Sequence, residues 1–206
     1  MADSSVFGTS KRRWPLILAA FVVSAVVACL GAAWLFVYTG AFDVAADTPH
    51  SQPVYWLLQN VRQRSIAVRA SDVVVPNNLG DAKRISSGAG QYAEMCSICH
   101  LAPGMKRTET SRGLYPRAPE LRRGSGLTPA EEFWVVKHGI KMTGMPAWGI
   151  THDDEILWDV VAFLRKLPEL SAEEYQTLVK NAPSTHDETM HQREMRNGHQ
   201  PGRGSH

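Results

Sequence analysis

Cysteine is scarce in this 206-residue chain, with three in all: Cys29, Cys96 and Cys99. So few thiols exclude a disulfide-stapled scaffold. A structural zinc site is also unsupported, because the chain has no second C-x-x-C pair to supply its other two ligands. Net charge is nearly absent: 22 basic against 20 acidic residues leave +2, and the surplus lies within the first 39 residues. A near-neutral remainder gives nucleic acid no basic face to bind. There is no internal repeat, no paired catalytic carboxylates, no Gly-rich phosphate loop and no nucleophile triad. Only one long hydrophobic run occurs, Trp14 to Tyr38.

Two of the three cysteines sit in the string Cys96-Ser97-Ile98-Cys99-His100. C-x-x-C-H is the attachment signal for a c-type haem. Each thiolate adds to one vinyl group, the two intervening residues match the vinyl spacing when the segment coils as a helical turn, and His100 is placed under the iron. A thioredoxin-like redox pair also uses C-x-x-C but does not require the trailing histidine. The cofactor expected here is one covalent haem c.

Further along, the chain reads Lys141-Met142-Thr143-Gly144-Met145-Pro146-Ala147-Trp148-Gly149. A low-spin electron-transfer haem needs a sixth ligand, and a thioether is a common partner for histidine. Proline excludes the helical region for the residue before it, so Met145 is held extended in a Gly/Pro loop, suited to project toward iron. Met145 is therefore the expected axial ligand opposite His100, in preference to Met142 on the same loop. A lone methionine would instead read as core filler.

With these residues in place, the stretch from about Ser86 to Leu170 resembles the class I monohaem cytochromes c, in a membrane-anchored bacterial form. Gly88 and Tyr92 look like the Gly/aromatic pair on that family's N-terminal helix. Pro119-Glu120-Leu121 looks like its Pro-x-Leu, although Pro116 stands close enough to compete. Gly144-Met145-Pro146-Ala147 is similar to the sixth-ligand loop, and Val160-Val161-Ala162-Phe163-Leu164 to the C-terminal helix that crosses the first. The resemblance implies an all-α cytochrome c-like haem domain, in which the Pro119 carbonyl accepts the proximal histidine's Nδ1 proton. Residues 1–80 and 180–206 lie outside it.

The apolar run fixes the expected compartment. Twenty-five residues at 1.5 Å each span roughly 37 Å, enough for a hydrocarbon core of about 30 Å. Lys11, Arg12 and Arg13 precede the run and no basic residue follows until Arg62. The positive-inside rule then leaves residues 1–13 cytoplasmic, 14–38 as a transmembrane anchor, and the rest on the periplasmic side of a bacterial inner membrane. The run is too long for a cleaved signal peptide. Val26-Val27-Ala28-Cys29 has the look of a lipobox, but apolar residues continue after Cys29 where a mature lipoprotein turns polar.

Residues 39–80 read as a juxtamembrane linker with an amphipathic helix. Val54, Leu57, Leu58, Val61 and Ser65 fall near one of its faces. That face could lie on the membrane surface, or pack on the haem domain or a partner subunit. Residues 81–180 form the haem domain, with helices expected from Asp81 to Met95, from Thr128 to His138, from Thr151 or His152 to Leu167, and from Ser171 to about Lys180. The loop from Met105 to Arg123 carries Lys106, Arg107, Arg112, Arg117, Arg122 and Arg123. Its charge suits an acidic docking partner or the haem propionates. Residues 181–206 are poor in apolar residues and read as a disordered tail. His186, Met190, His191, Met195, His199 and His206 give that tail donors suited to copper or zinc.

The sequence thus points to a single-haem electron carrier with redox-protein partners and a membrane anchor, and not to an enzyme in its own right. The alternative is an electron-transfer subunit of a larger membrane dehydrogenase or terminal oxidase complex. A haem-based gas sensor would need an open sixth position and a signalling domain.

Overall fold

The computed structural model describes residues 13–183 and residue 195. The potential metal donors His186, Met190, His191, His199 and His206 lie outside the described residues. Among those described, regular structure is entirely helical. The chain divides after Thr48 into two units.

The first unit holds α1, Trp14–Tyr38, a 25-residue helix with Pro15 in its first turn. It is long and apolar enough to cross a membrane by length and composition, and none of its residues is buried. Trp34 and Tyr38, one turn apart, stack with centroids 5.0 Å apart.

The second unit begins with α2, Gln52–Arg69, which again carries a proline in its first turn. There follow α3 (Ala82–Met95), α4 (Ser97–His100), α5 (Glu109–Gly113), α6 (Pro129–His138), α7 (Asp154–Lys166) and α8 (Ala172–Lys180). Helix starts are locally encoded. Thr128 and Glu131 close a reciprocal capping box at α6, and Ser171 and Glu174 do the same at α8. In each, a hydroxyl accepts the N3 amide while the N3 carboxylate accepts the N-cap amide, satisfying two otherwise orphaned donors. Helix α6 ends at Gly139, whose φ of 63° is open to glycine at little cost.

The core forms where α3 crosses α7. Ala89, Tyr92 and Met95 of α3 meet Val160, Val161, Phe163 and Leu164 of α7, and Tyr175 of α8 closes one side. Tyr92 packs on Phe163 at 5.3 Å between centroids, and Phe133 of α6 stacks on Trp158 of α7 at 4.1 Å. Gly88 sets the approach: a Cβ there would lie 1.9 Å from the Asp159 carbonyl oxygen. Arg84, one turn earlier, clamps the same crossing with Nη1 2.8 Å from Asp159 and Nη2 2.7 Å from Glu155.

Three local features differ from the sequence expectation. Helix α7 starts at Asp154 with Asp153 as N-cap. Thr151 and His152 instead donate their amides to the Trp148 carbonyl at 3.0 and 2.9 Å, closing the 3-10 turn Trp148–Ile150. The loop from Met105 to Arg123 contains α5, whose N-cap Thr108 accepts the Ser111 amide. In α2 the buried residue is Ile66, followed by Ala70 at the C-cap, and the helix packs on α6. The apolar face of Val54, Leu57, Leu58 and Val61 stays exposed.

The crossing yields a direct expectation. Gly88→Ala must push two backbones apart, since no flexible side chain can yield at that point. Its destabilisation should reach the upper end of the ~1–3 kcal/mol typical of overpacking. Thermal melts of holoprotein should register it as a clear fall in Tm, whereas an unchanged Tm would contradict the close approach.

Candidate haem site

Helix α3 runs directly into the cysteine motif. The Cys99 and His100 amides donate to the Cys96 carbonyl at 3.2 and 2.9 Å, so the string coils as a turn. His100 closes α4, and its Nδ1 lies 2.9 Å from the Pro119 carbonyl oxygen. That contact assigns the proton to Nδ1 and leaves the Nε2 lone pair as the free donor. Burial lowers the His100 pKa, partly opposed by the Pro119 hydrogen bond, so the ring is neutral at pH 7.

The two thiols are shifted in the direction opposite to that of a catalytic redox pair. Burial raises both, and Cys96 is pushed up to about 12 by burial and then by the neighbouring Cys99. A catalytic C-x-x-C lowers its thiol pKa instead.

The chain just beyond His100 is held in an unusual conformation. Leu101 has φ 62° and ψ 172°, a region that is essentially reserved for glycine and costs about 1–3 kcal/mol. Two contacts impose it. Leu101 is buried, and the Tyr92 hydroxyl donates to its carbonyl. Thr108 adds a hold on the motif by donating Oγ1 to the Ile98 carbonyl at 2.5 Å.

Met145 is partly buried and packs against the core, together with Met105, Leu121 and Trp148. Its amide donates to Thr143 Oγ1 at 3.1 Å, and its carbonyl accepts from the Ile140 amide at 3.2 Å. Gly139 lies under this loop, where a Cβ would come 2.7 Å from the Met145 carbonyl oxygen. Met142, by contrast, is 97% exposed.

The stretch from Leu114 to Pro119 joins these parts. Leu114 covers Gly144, where a Cβ would lie 2.4 Å from Leu114 Cδ2. The Tyr115 hydroxyl accepts the His50 amide at 2.8 Å, and the two rings meet edge-on at 5.2 Å. Pro119 reaches His100. Sequence reasoning found Pro119 here, with Pro116 as its competitor, and the His100 contact falls on Pro119. The Leu114 and Tyr115 contacts are long-range and leave no periodic trace, although a bare glycine beside Met145 hinted at close packing.

Three arginines of the basic loop converge on one carboxylate. Glu120 meets Arg107 at 3.5 Å, Arg122 at 2.9 Å and Arg123 at 3.5 Å, and the Arg122 hydrogen bond leads in lowering its pKa. Lys106, Arg112 and Arg117 remain exposed. Of the other histidines, His138 is exposed beside Trp134, and His152 is buried with Nδ1 3.2 Å from the Trp148 carbonyl. Among the described residues, no group of three His, Cys, Asp or Glu side chains could hold a bare metal ion.

This donor set fits a haem: two thiols on a helical turn, a neutral imidazole with Nε2 free, and partly buried apolar side chains beside them. Residues 83–164 match the family model described as cytochrome c oxidase, cbb3-type, subunit III. The domain belongs to the monohaem cytochrome c family, carries covalent haem c and works in electron transfer. No curated protein and no solved structure matches the chain.

The Tyr92 hydroxyl is the support that a single-atom deletion tests most directly. Tyr92→Phe leaves the Leu101 carbonyl buried without its partner, at a cost of about 1–3 kcal/mol. Denaturant unfolding of the holoprotein should show that loss at unchanged m-value, and no loss would refute the supporting role.

Proposed function

We propose that this chain is a membrane-anchored cytochrome c that carries single electrons on the periplasmic side of a bacterial inner membrane. In this reading Cys96 and Cys99 hold the haem through thioethers, and His100 and Met145 are its axial ligands. The observation that carries it is the Pro119–His100 contact, which orients the imidazole and commits its proton away from Nε2. The haem, when bound, supplies one-electron chemistry at iron. The residues do the rest: Pro119 fixes the ring and raises the basicity of the free nitrogen. The loop from Gly139 to Gly149 presents a thioether from a half-buried position, and a thioether ligand raises the potential. A site that changes little between two oxidation states needs such rigid supports. In this reading the chain acts as a carrier.

Ligation is tested by two substitutions. Met145→Ala should abolish the weak near-infrared sulfur-to-iron band of the oxidised protein, lower the potential and open the iron to carbon monoxide. Met142→Ala should leave band and potential in place, as its exposure suggests. Opposite behaviour would move the ligand to Met142; silence from both would overturn thioether ligation.

Topology has its own test. Helix α1 supports a retained anchor, with the basic residues before it on the cytoplasmic side. A reporter active only outside the cytoplasm, fused after residue 80, should be active, and alkaline washing should leave the full chain in membranes. An inactive reporter would reverse the orientation, and release into the wash would remove the anchor.

A second reading has one observation in its favour. The matching family model is named for an oxidase subunit, so the chain is also a candidate electron-transfer subunit of a membrane oxidase or dehydrogenase. Extraction in mild detergent separates the two: a stoichiometric partner carrying such activity favours the subunit, and a lone chain favours the free carrier.

A further inference from the structure

We propose that α2 lies on the bilayer surface and holds the haem domain against anionic lipid; this rests on the reading of α1 as a retained membrane anchor. The evidence starts from two faces of one helix. Ile66 and Ala70, four residues apart, are the buried positions. Val54, Leu57, Leu58, Val61 and Val68 include pairs three, four and seven residues apart, and fall roughly 150° away at 100° per residue. These five are 39–57% exposed. The apolar stripe thus turns away from α6, the helix on which α2 packs. A stripe of this kind in an isolated soluble domain is a liability, and it marks a surface meant to be covered.

Charge and connection identify what covers it. Helix α2 contains Arg62, Arg64 and Arg69 and no acidic residue. The arginines flank the stripe on both sides, Arg62 bonded to Gln59 and Arg69 to Ser65; on a bilayer their guanidinium heads would turn to lipid phosphates. An apolar stripe bordered by cations is the chemistry of an interfacial helix, with binding that depends on anionic lipid. Only residues 39–51 separate the end of α1 from the start of α2. Fully extended, those thirteen residues reach at most about 45 Å. A helix tethered so closely to the bilayer meets it at high effective concentration, which makes even a weak apolar contact persistent.

The test uses the full-length holoprotein, one copy per lipid nanodisc, with Cys29→Ala to remove the background thiol. Leu57→Cys and Val61→Cys report the stripe, and Gln63→Cys reports an exposed position off it. Each is reacted with a membrane-impermeant maleimide, after the haem spectrum has confirmed correct attachment. In discs of anionic lipid, the two stripe variants should react about tenfold more slowly than Gln63→Cys. In discs of zwitterionic lipid the difference should shrink. Equal rates in anionic discs, with the protein still resistant to alkaline extraction, would overturn the proposal and leave the anchor standing. Loss of the protein on extraction would overturn both. Protection seen in native membranes but not in lipid-only discs would assign the stripe to a protein partner. Protection that appears only with two copies per disc would assign it to a second copy of this chain. Either result would overturn the lipid proposal.

Discussion

The contact of α3 with α7 at Gly88 is the constraint on which the rest of the domain depends. Backbone meets backbone there, with no room for a single added carbon. Because α3 ends where the cysteine motif begins, the lie of this helix decides where Cys96, Cys99 and His100 stand. The same crossing brings Phe163 to Tyr92, and Tyr92 in turn reaches past the motif to the Leu101 carbonyl. Core packing and cofactor chemistry are therefore joined by one aromatic side chain. A dense crossing also supplies the stiffness an electron carrier needs, since interiors at native density resist rearrangement.

Much of the site was legible because it is written in short strings. Cys96 to His100 is contiguous, the Met145 loop is marked by Gly144 and Pro146, and both capping boxes lie within four residues. The limits of α1 followed from length and apolar content, and the all-helical fold from the resemblance to class I cytochromes c. Less was readable wherever distant residues decide the outcome. Helical periodicity in α2 identified an apolar face, but burial fell on Ile66 and Ala70, because packing on α6 selects the side. Five-residue α5 is too short to show a period. His152 looked like a helix-terminal residue, yet it is buried in the turn at Trp148. Its local spacing says nothing of that, since the turn is made by backbone amides.

Electrostatics in the second unit show economy of a different kind. Six basic residues lie between Met105 and Arg123, but Glu120 gathers three of them beside Pro119. The carboxylate thus fixes side chains around the carbonyl that holds His100, and leaves Lys106, Arg112 and Arg117 to solvent. One carboxylate cancels only one of the three charges it gathers, so the loop stays basic where a docking partner would meet it.

The stretch from Leu114 to Pro119 has a meaning for how such a chain can vary. Its first residue is fixed at Gly144, its second at the His50 amide, and its last at His100. The number of residues between these points is set by the three attachments. One residue more or fewer would shift at least one of the three attachments by about 3.5 Å, the reach of a single extended residue. Insertions and deletions are thus excluded from six positions that lie in irregular backbone, where loops ordinarily tolerate them. In this loop the number of residues matters as much as the side chains that make its attachments.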